Sequence, residues 1–201
     1  MNFKLMRPMA TERELWEGFK KGENGALTHI YDLYVNPLYR YGKKFSTEDE
    51  LIKDTIQDLF FDLIRTRATL GQTDQIYFYL IKAFRRRLIR SINESKCIKL
   101  KEEDADALEA HIVYSVEDEW MQKEHLSTKE QIIRKGLAEL SPKQREIIYY
   151  RFTCDFEYDQ ICEIMSIKYD SARKMLFRAL QTLRVHVSDT SMTFFFIYLK
   201  K

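Results

Sequence analysis

Apolar residues recur at three- and four-residue steps through most of the chain, the spacing typical of amphipathic helices. Several of these stretches begin with a Ser or Thr that is followed three residues later by Glu or Gln. The two side chains of such a pair satisfy free backbone N–H groups at a helix start. The pairs are Thr11 with Glu14, Thr47 with Glu50, Ser127 with Glu130, and Ser141 with Gln144, the last followed by Pro142 at the first helical position.

These signals predict a chain built from helices. With 6 Gly and 3 Pro in 201 residues, the sequence has too few turn residues for an all-β fold, which needs one at roughly every tenth position. We therefore expect an all-α fold, with the second helix interrupted at Asn36-Pro37. The predicted helices span residues 11–20, 25–44, 47–68, 74–94, 128–139, 142–153, 157–165 and 170–187.

Charge alternates in blocks along the chain, although the formal net charge is only +2. Residues 46–62 carry six acids against one lysine, and residues 82–101 carry eight basic residues against one acid. Residues 102–124 then hold nine acids against one lysine, in a stretch with weak helical periodicity. We interpret this stretch as a linker. The predicted organisation is a helical domain at 1–95, an acidic linker at 96–126 and a second helical domain at 127–201.

The most distinctive local pattern lies at residues 156–184 and has the spacing of a helix-turn-helix. A short helix with an apolar stripe is followed by a turn and by a second helix that Asp170 can cap. On that second helix Ala172, Leu176, Ala179, Leu180 and Leu183 point inward. Lys and Arg on the outer face can contact phosphates or guanine, and Ser can contact either a base edge or a phosphate. A solvated basic face that closes a helical bundle is the alternative. The outward residues are Ser171, Arg173, Lys174 and Arg178.

Aromatic and basic residues are interleaved at residues 76–96. Flat side chains can stack on unpaired bases while cations follow the phosphates, so this stretch indicates single-stranded nucleic acid as a partner. Tyr77, Tyr79 and Phe84 are the aromatic residues that this interpretation uses, and ordinary packing of each ring is the alternative. The candidate binding residues are Tyr79, Lys82, Arg85, Arg86 and Arg90.

The acidic helix predicted at 47–65 places an aromatic residue among carboxylates. Asp54, Gln57, Asp58 and Phe61 recur at three- and four-residue steps, so they share one face. An exposed aromatic residue amid acids is typical of a docking surface for a basic protein. A merely solvated acidic face fits the pattern as well.

Together these stretches resemble, in order and spacing, the extracytoplasmic-function (ECF) class of bacterial sigma factors, and the resemblance covers nearly the whole chain. It rests on a D-x-x-Q-x-x-F segment at 54–60, a Y-D-x-Y segment at 31–34 and Tyr79-Leu80 in place of a Trp-Leu pair. It rests further on L-S-P-x-x-R-E at 140–146, a first helix at 158–165 and a second helix that aligns without a gap at 171–184.

The resemblance implies a transcription initiation factor that performs no covalent chemistry. Asp54, Gln57, Asp58 and Phe61 would dock on core RNA polymerase. The aromatic and basic helix would capture the melted strand of promoter DNA, and Ser171, Arg173, Lys174 and Arg178 would enter the major groove of the duplex upstream. The acidic linker would thread toward the polymerase channel, although a solvated tether fits its composition equally. Members of this class are often held inactive by an anti-sigma factor, which is a possible further partner.

Some residues depart from the family pattern. Arg86 and Arg90 stand where Asn and Asp are common, and Lys174 and Met175 replace a common Ser and Arg, so the promoter sequence does not follow from the resemblance. Ser166 replaces the usual turn glycine, which predicts a differently shaped turn. Cys162 replaces a usual Ala at the helix crossing.

An enzyme is the least favoured class. The four His residues have no metal-binding spacing, and there is no glycine-rich phosphate loop. We therefore expect no catalytic residue, metal, cofactor or small-molecule substrate. The three Cys form no C-x-x-C pair, and no segment reaches the roughly 20 apolar residues of a membrane span, so we expect a cytoplasmic protein with reduced thiols. The apolar segment at 192–199 is expected to pack on the protein's own domains, with an inhibitory partner or a second copy as alternatives.

Two other functions stay open. A stand-alone helix-turn-helix regulator explains the C-terminal domain but leaves the acidic helix and the aromatic and basic helix without a role. A helical adaptor that binds only proteins leaves the basic blocks as aids to solubility.

Overall fold

The computed structural model describes residues 11–100 and 135–186, and these residues are helical apart from short connections. The all-α prediction is confirmed for them. They divide into two compact units, residues 11–42 with 48–100, and residues 43–47 with 135–186. The predicted boundaries at 95 and 126 stay predictions. The linker from residue 101 onward, the Ser127–Glu130 pair and the apolar segment at 192–199 lie outside the described residues.

The first unit holds four α-helices, and the second holds three that are described from end to end. In the first unit they are α1 (Glu12–Lys21), α2 (Asn24–Lys43), α3 (Asp49–Thr66), followed by the 3-10 turn Arg67–Thr69, and α4 (Ile76–Leu100). In the second unit a helical turn at 135–138 precedes α5 (Pro142–Ile148), a π-helical turn (Tyr149–Thr153), α6 (Tyr158–Met165) and α7 (Tyr169–His186).

Two of the predicted helix starts are confirmed. The Thr11 hydroxyl accepts a hydrogen bond from the Glu14 N–H at 3.3 Å, and the Glu14 carboxylate accepts one from the Thr11 N–H at 2.8 Å. Ser141 and Gln144 form the same reciprocal pair before α5, with Pro142 at the first helical position. Because both pairs are local, sequence spacing alone identified them.

Three local predictions are wrong. Helix α3 begins at Asp49 after Glu48, so Thr47 does not cap it. Asp170 lies inside the first turn of α7 rather than before it, where a carboxylate still favours the positive helix end. Helix α2 continues through Pro37 without interruption. Buried residues on both sides of that proline, Ile30 and Leu38 among them, offset the roughly 3 kcal/mol cost of an interior proline.

Helix α4 also differs from its prediction in length. It continues to Leu100, where the sequence predicted an end near residue 94. The backbone of residues 96–100, predicted to begin the linker, is therefore helical. The basic block at 82–101 thus falls almost entirely on one continuous helix.

The core of the first unit is centred on Trp16, which is fully buried. Its Nε1 donates a hydrogen bond to the Gly71 carbonyl at 2.9 Å, which ties α1 to the connection before α4. Its ring packs against Phe19 and Tyr79, with centroids 5.5 and 5.1 Å away. Helices α3 and α4 of the same unit pack on each other. Trp16 therefore joins segments that lie far apart in sequence.

Glu12 is a second long-range connection in this unit. Its carboxylate accepts one hydrogen bond from the Tyr34 hydroxyl and one from the Ile76 N–H, both at 2.7 Å. The first residue of α1 thus caps α4, whose N–H groups would otherwise lack a partner. The Tyr34 ring stacks on Tyr77 with centroids 5.7 Å apart. Burial and the Glu12 carboxylate raise the pKa of Tyr34 well above its usual range.

In the second unit α7 packs on α5 and α6. Glu146 is buried and accepts a hydrogen bond from the Tyr150 hydroxyl at 2.7 Å. Arg151 pairs with Glu157 at 3.0 Å and donates to the Phe156 carbonyl at 2.9 Å, which holds the connection before α6. Within residues 11–100 and 135–186, no helix is both long and apolar enough to cross a membrane.

Replacing Ser166 by glycine is expected to stabilise the protein. Ser166 has φ 54° and ψ 46°, a left-handed conformation that costs an L-residue about 1–2 kcal/mol, against about 0.5–1 kcal/mol for the extra chain entropy of glycine. Ser166→Gly should therefore raise the free energy of unfolding by about 0.5–1 kcal/mol, measured by urea denaturation with circular dichroism. The matched control, Gln181→Gly in α7, should lower it by about 1 kcal/mol. A loss of stability in Ser166→Gly would contradict the left-handed turn.

Alkaline pH is expected to weaken the bond between Tyr34 and Glu12. The folded-state pKa of Tyr34 lies above the ordinary value of 10.0, so the stabilisation is complete below that pH and is lost as pH rises further. At about pH 8, Tyr34→Phe should lower the free energy of unfolding by roughly 1.5 kcal/mol. At about pH 11 the difference between the two proteins should shrink. Tyr34 then ionises more readily in the unfolded chain than in the folded one, which lowers the stability of the wild type, whereas the variant has no phenol to ionise. Urea denaturation followed by tryptophan fluorescence measures both values, and a constant difference would refute the assignment.

Candidate nucleic-acid interface

Helices α6 and α7 and the turn between them form the predicted helix-turn-helix. Ile161, Ile164 and Met165 of α6 are buried, as the apolar stripe required. The N–H groups of Ser166 and Ile167 both donate to the Cys162 carbonyl, which ends α6 and starts the turn. Ser166 adopts the left-handed conformation that favours glycine, and the expectation of a differently shaped turn stays a prediction.

Helix α7 buries one side and exposes the other. Ala172, Leu176, Ala179 and Leu183 are buried, whereas Leu180, predicted to be with them, is half-buried. The small side chains at 172 and 179 let α7 approach its neighbours closely. The four predicted recognition residues are all exposed on the outer side, and they are Ser171, Arg173, Lys174 and Arg178.

The outer side of α7 also carries an aromatic residue that the sequence analysis missed. Phe177 exposes 60% of its surface. It follows Lys174 by three positions and Arg173 by four, so helical spacing places it on their face. That spacing was readable from the sequence, but only the structure showed how much of the Phe177 side chain is exposed.

The acidic helix α3 is amphipathic as predicted. Asp54, Gln57 and Asp58 are exposed, and Phe61 exposes 65% of its surface. The opposite side is buried in the first unit and consists of Ile52, Ile56, Leu59, Phe60 and Leu63. We call the exposed set Asp54, Gln57, Asp58 and Phe61 the acidic face.

Two further apolar residues of this unit, one on α3 and one on α2, are exposed and were not predicted. Ile64, one turn after Phe61 on α3, is exposed. Tyr31 of α2 is also exposed, and its ring meets the edge of buried Phe60 with centroids 5.0 Å apart. Ile64 therefore extends the acidic face with apolar surface along α3, which is typical of protein contacts.

Helix α4 carries the five residues predicted to bind a single strand, and their surroundings differ. Arg86 and Arg90 are exposed, while Tyr79, Lys82 and Arg85 are half-buried. The Nε of Arg90 pairs with Glu94 at 2.8 Å, and this ion pair raises the pKa of Arg90. A strand that contacts Arg90 must compete with Glu94.

The aromatic residues of α4 serve mainly the core. Phe84 is fully buried against Tyr41, and Tyr77 stacks on Tyr34. Tyr79 packs on Trp16 but keeps part of its surface exposed. The packing interpretation therefore holds for Phe84, whereas Tyr77 and Tyr79 each pack on an aromatic neighbour and are half-buried.

An ion pair links the acidic helix to the basic one. Asp62 of α3 accepts hydrogen bonds from Arg87 of α4 and, at 2.8 Å, from Arg65. The Arg87 guanidinium is the main cause of a lowered pKa at Asp62, and Arg65 adds to it. Arg87 is thus engaged in a contact between α3 and α4 and is half-buried.

Comparison with known proteins supports the interpretation of α6 and α7 as a DNA-binding helix-turn-helix. No curated protein matches the sequence at a significant level. Residues 130–183 match the family model described as sigma-70, region 4, and the described part of that span contains α5, α6 and nearly all of α7. The helix-turn-helix built from α6 and α7 thus lies in a sigma-70 region 4 segment, and the match supports a promoter-recognising sigma-70 factor.

Proposed function

We propose that the chain is a transcription initiation factor of the ECF class, which binds core RNA polymerase and directs it to specific promoters. The observation that carries this proposal is the coincidence of the region 4 match with a helix whose outer side exposes Ser171, Arg173, Lys174 and Arg178. Three positive charges and a hydroxyl on one side of a helix suit the major groove, which is wide enough to admit an α-helix.

In this proposal α7 reads an upstream promoter element. Lys174 and Arg178 would contact guanine acceptor atoms, and Arg173 at the edge of the face would contact phosphate. Packing of α7 on α5 and α6 supports this role, because a recognition helix must be held rigidly to keep its side chains in register with the bases.

The acidic face of α3 would dock on a basic surface of the polymerase. Phe61 is an aromatic anchor surrounded by Asp54, Gln57 and Asp58, the arrangement of an apolar hot spot with a charged rim. The rim charges would steer the two proteins together, and burial of the ring would supply affinity. Burial of the opposite side of α3 supports this role because it leaves the acidic face directed outward.

The exposed cations of α4 would hold the melted promoter strand. Arg86 is the best-placed cation, and Tyr79 offers partial ring surface for a base. Glu94 pairs with Arg90 in the free protein, so strand binding would have to displace this exposed ion pair, which solvent screening weakens. The proposal further includes a cytoplasmic location, a path for the acidic linker in the polymerase channel and an anti-sigma partner.

Transcription reconstituted from purified chain, core polymerase and genomic DNA fragments tests the proposal, with transcript starts mapped by sequencing. We expect initiation at a limited set of sites. Tight, sequence-specific duplex binding without any gain in initiation would favour a stand-alone helix-turn-helix regulator instead. Binding to neither DNA nor polymerase would favour an adaptor.

The double variant Lys174→Ala/Arg178→Ala is expected to lose promoter selection and keep polymerase association. Each lost base or phosphate contact costs about 1–3 kcal/mol, so affinity for a selected promoter should fall at least about tenfold. Electrophoretic mobility shift and run-off transcription measure the loss, and co-purification measures polymerase association. Lys135→Ala/Lys143→Ala removes the same charge from exposed positions off this face and should leave selection intact. Equal loss of both activities would assign α7 a structural role.

The charge reversal Asp58→Lys is expected to weaken association with core polymerase by roughly tenfold or more, since a like charge opposite a basic surface is repulsive. Pull-down at increasing salt gives the affinity, and the difference from wild type should narrow as salt screens the charges. Asp74→Lys, an equal reversal at another exposed acid of the same unit, is the control. Unchanged co-purification of Asp58→Lys would remove α3 from the docking role.

A further inference from the structure

Phe177 stands out on α7 because of where it is exposed. A single exposed apolar residue is common on protein surfaces. This one lies on the helix that carries the basic recognition residues, and it exposes 60% of its surface while Leu176 beside it is buried. The position, rather than the exposure alone, calls for a physical explanation.

On its helix the ring has charged positions on its outer side and half-buried Leu180, three positions on, toward the core. At about 100° per residue, Phe177 lies about 40° from Arg173 and about 60° from Lys174 around the helix axis. Arg178 follows it directly, and Gln181 lies one turn further on the same exposed side. Buried Ala172 and Ala179 lie toward the opposite side of the helix. The ring is therefore part of the surface that the proposed function directs into the major groove.

The chemistry of the groove limits what such a ring can recognise. Phenylalanine has no hydrogen-bond donor or acceptor, so it cannot read the polar edges of the bases. The apolar feature that a base pair presents in the major groove is the C5-methyl group of thymine. Phosphates and polar base edges lose hydration against a ring without any compensating bond, so contact with them is unfavourable.

We propose that Phe177 contacts the C5-methyl group of thymine and makes the chain select thymine at one or two positions of its upstream promoter element. The proposal rests on the proposed function, since it requires α7 to enter the major groove. Arg173, Lys174 and Arg178 supply the attraction to DNA, and Phe177 adds a preference that charge cannot supply. The residue is a specificity determinant that acts by apolar contact.

Duplexes selected from a randomised library by the full chain provide the probe. Each thymine of the selected site is then replaced by uracil, which removes the methyl group and preserves every hydrogen-bonding atom of the base. For the wild type, uracil at one or two positions should weaken binding about fourfold, the effect of losing one buried methyl group. Fluorescence anisotropy with labelled duplexes measures each dissociation constant.

Variants assign the effect to the ring. Phe177→Ala should bind thymine and uracil duplexes equally, and Phe177→Leu should retain part of the preference because its side chain is still apolar. Val185→Ala is the control, since Val185 is 80% exposed on the same helix but lies about two turns further along, and it should keep the full preference. Thermal denaturation by circular dichroism should show that each variant folds, as both positions are exposed.

The outcomes separate this inference from the proposed function. Suppose that the chain selects a site and that this selection depends on Lys174 and Arg178. The inference alone is then overturned if the site contains no thymine, if uracil has no effect on binding, or if Phe177→Ala retains the thymine preference. Failure of the wild type to select any sequence overturns the DNA-reading part of the proposed function and the inference with it. Loss of polymerase association in Phe177→Ala, with the uracil effect intact, would assign the ring to a protein contact and also overturn it.

Discussion

One-sided burial of helices is the constraint on which the rest of this structure depends. Helices α3 and α4 each bury a stripe of large apolar side chains, α7 buries two leucines and two alanines, and each helix carries on its opposite side the residues of a proposed interface. Burial of one Leu, Ile or Phe contributes about 1.5–3 kcal/mol, so a helix with four or five such residues is held firmly in its unit. A helix held in this way also fixes the positions of its exposed side chains, as recognition of a partner requires.

Polar contacts then connect helices that apolar packing brings together. Glu12 joins α1, α2 and the start of α4, and Asp62 joins α3 to α4 through Arg87. These contacts divide the charges of the first unit into two groups. Arg87 is committed to the fold, whereas Arg86 remains exposed on the same helix. The basic surface of α4 is therefore smaller than the number of basic residues in the sequence suggests, because some of them pair with acids of the fold.

The helix-turn-helix depends on a residue in an unfavourable backbone conformation. Ser166 is left-handed between α6 and α7, and the N–H groups of Ser166 and Ile167 share the Cys162 carbonyl. Packing of Ile161 and Ala172, both fully buried, offsets this local cost and keeps the two helices at the separation that the three-residue turn imposes. The turn thus sets where α7 starts, and so where Lys174, Phe177 and Arg178 lie.

The sequence by itself determined the helices, the two confirmed capping pairs and the outward direction of the α3 and α7 residues. These features depend on spacings of three to four residues, and local geometry acts over the same distance. Only the tertiary structure decided that α2 passes through Pro37, that Trp16 bonds to Gly71, that Glu12 caps α4 and that Asp62 takes Arg87. Each of these depends on packing or on partners up to 64 residues apart, and no local pattern specifies which distant segments meet. The exposure of Phe177 is of the same kind, since helical spacing gives its direction but only packing decides how much of its side chain is exposed.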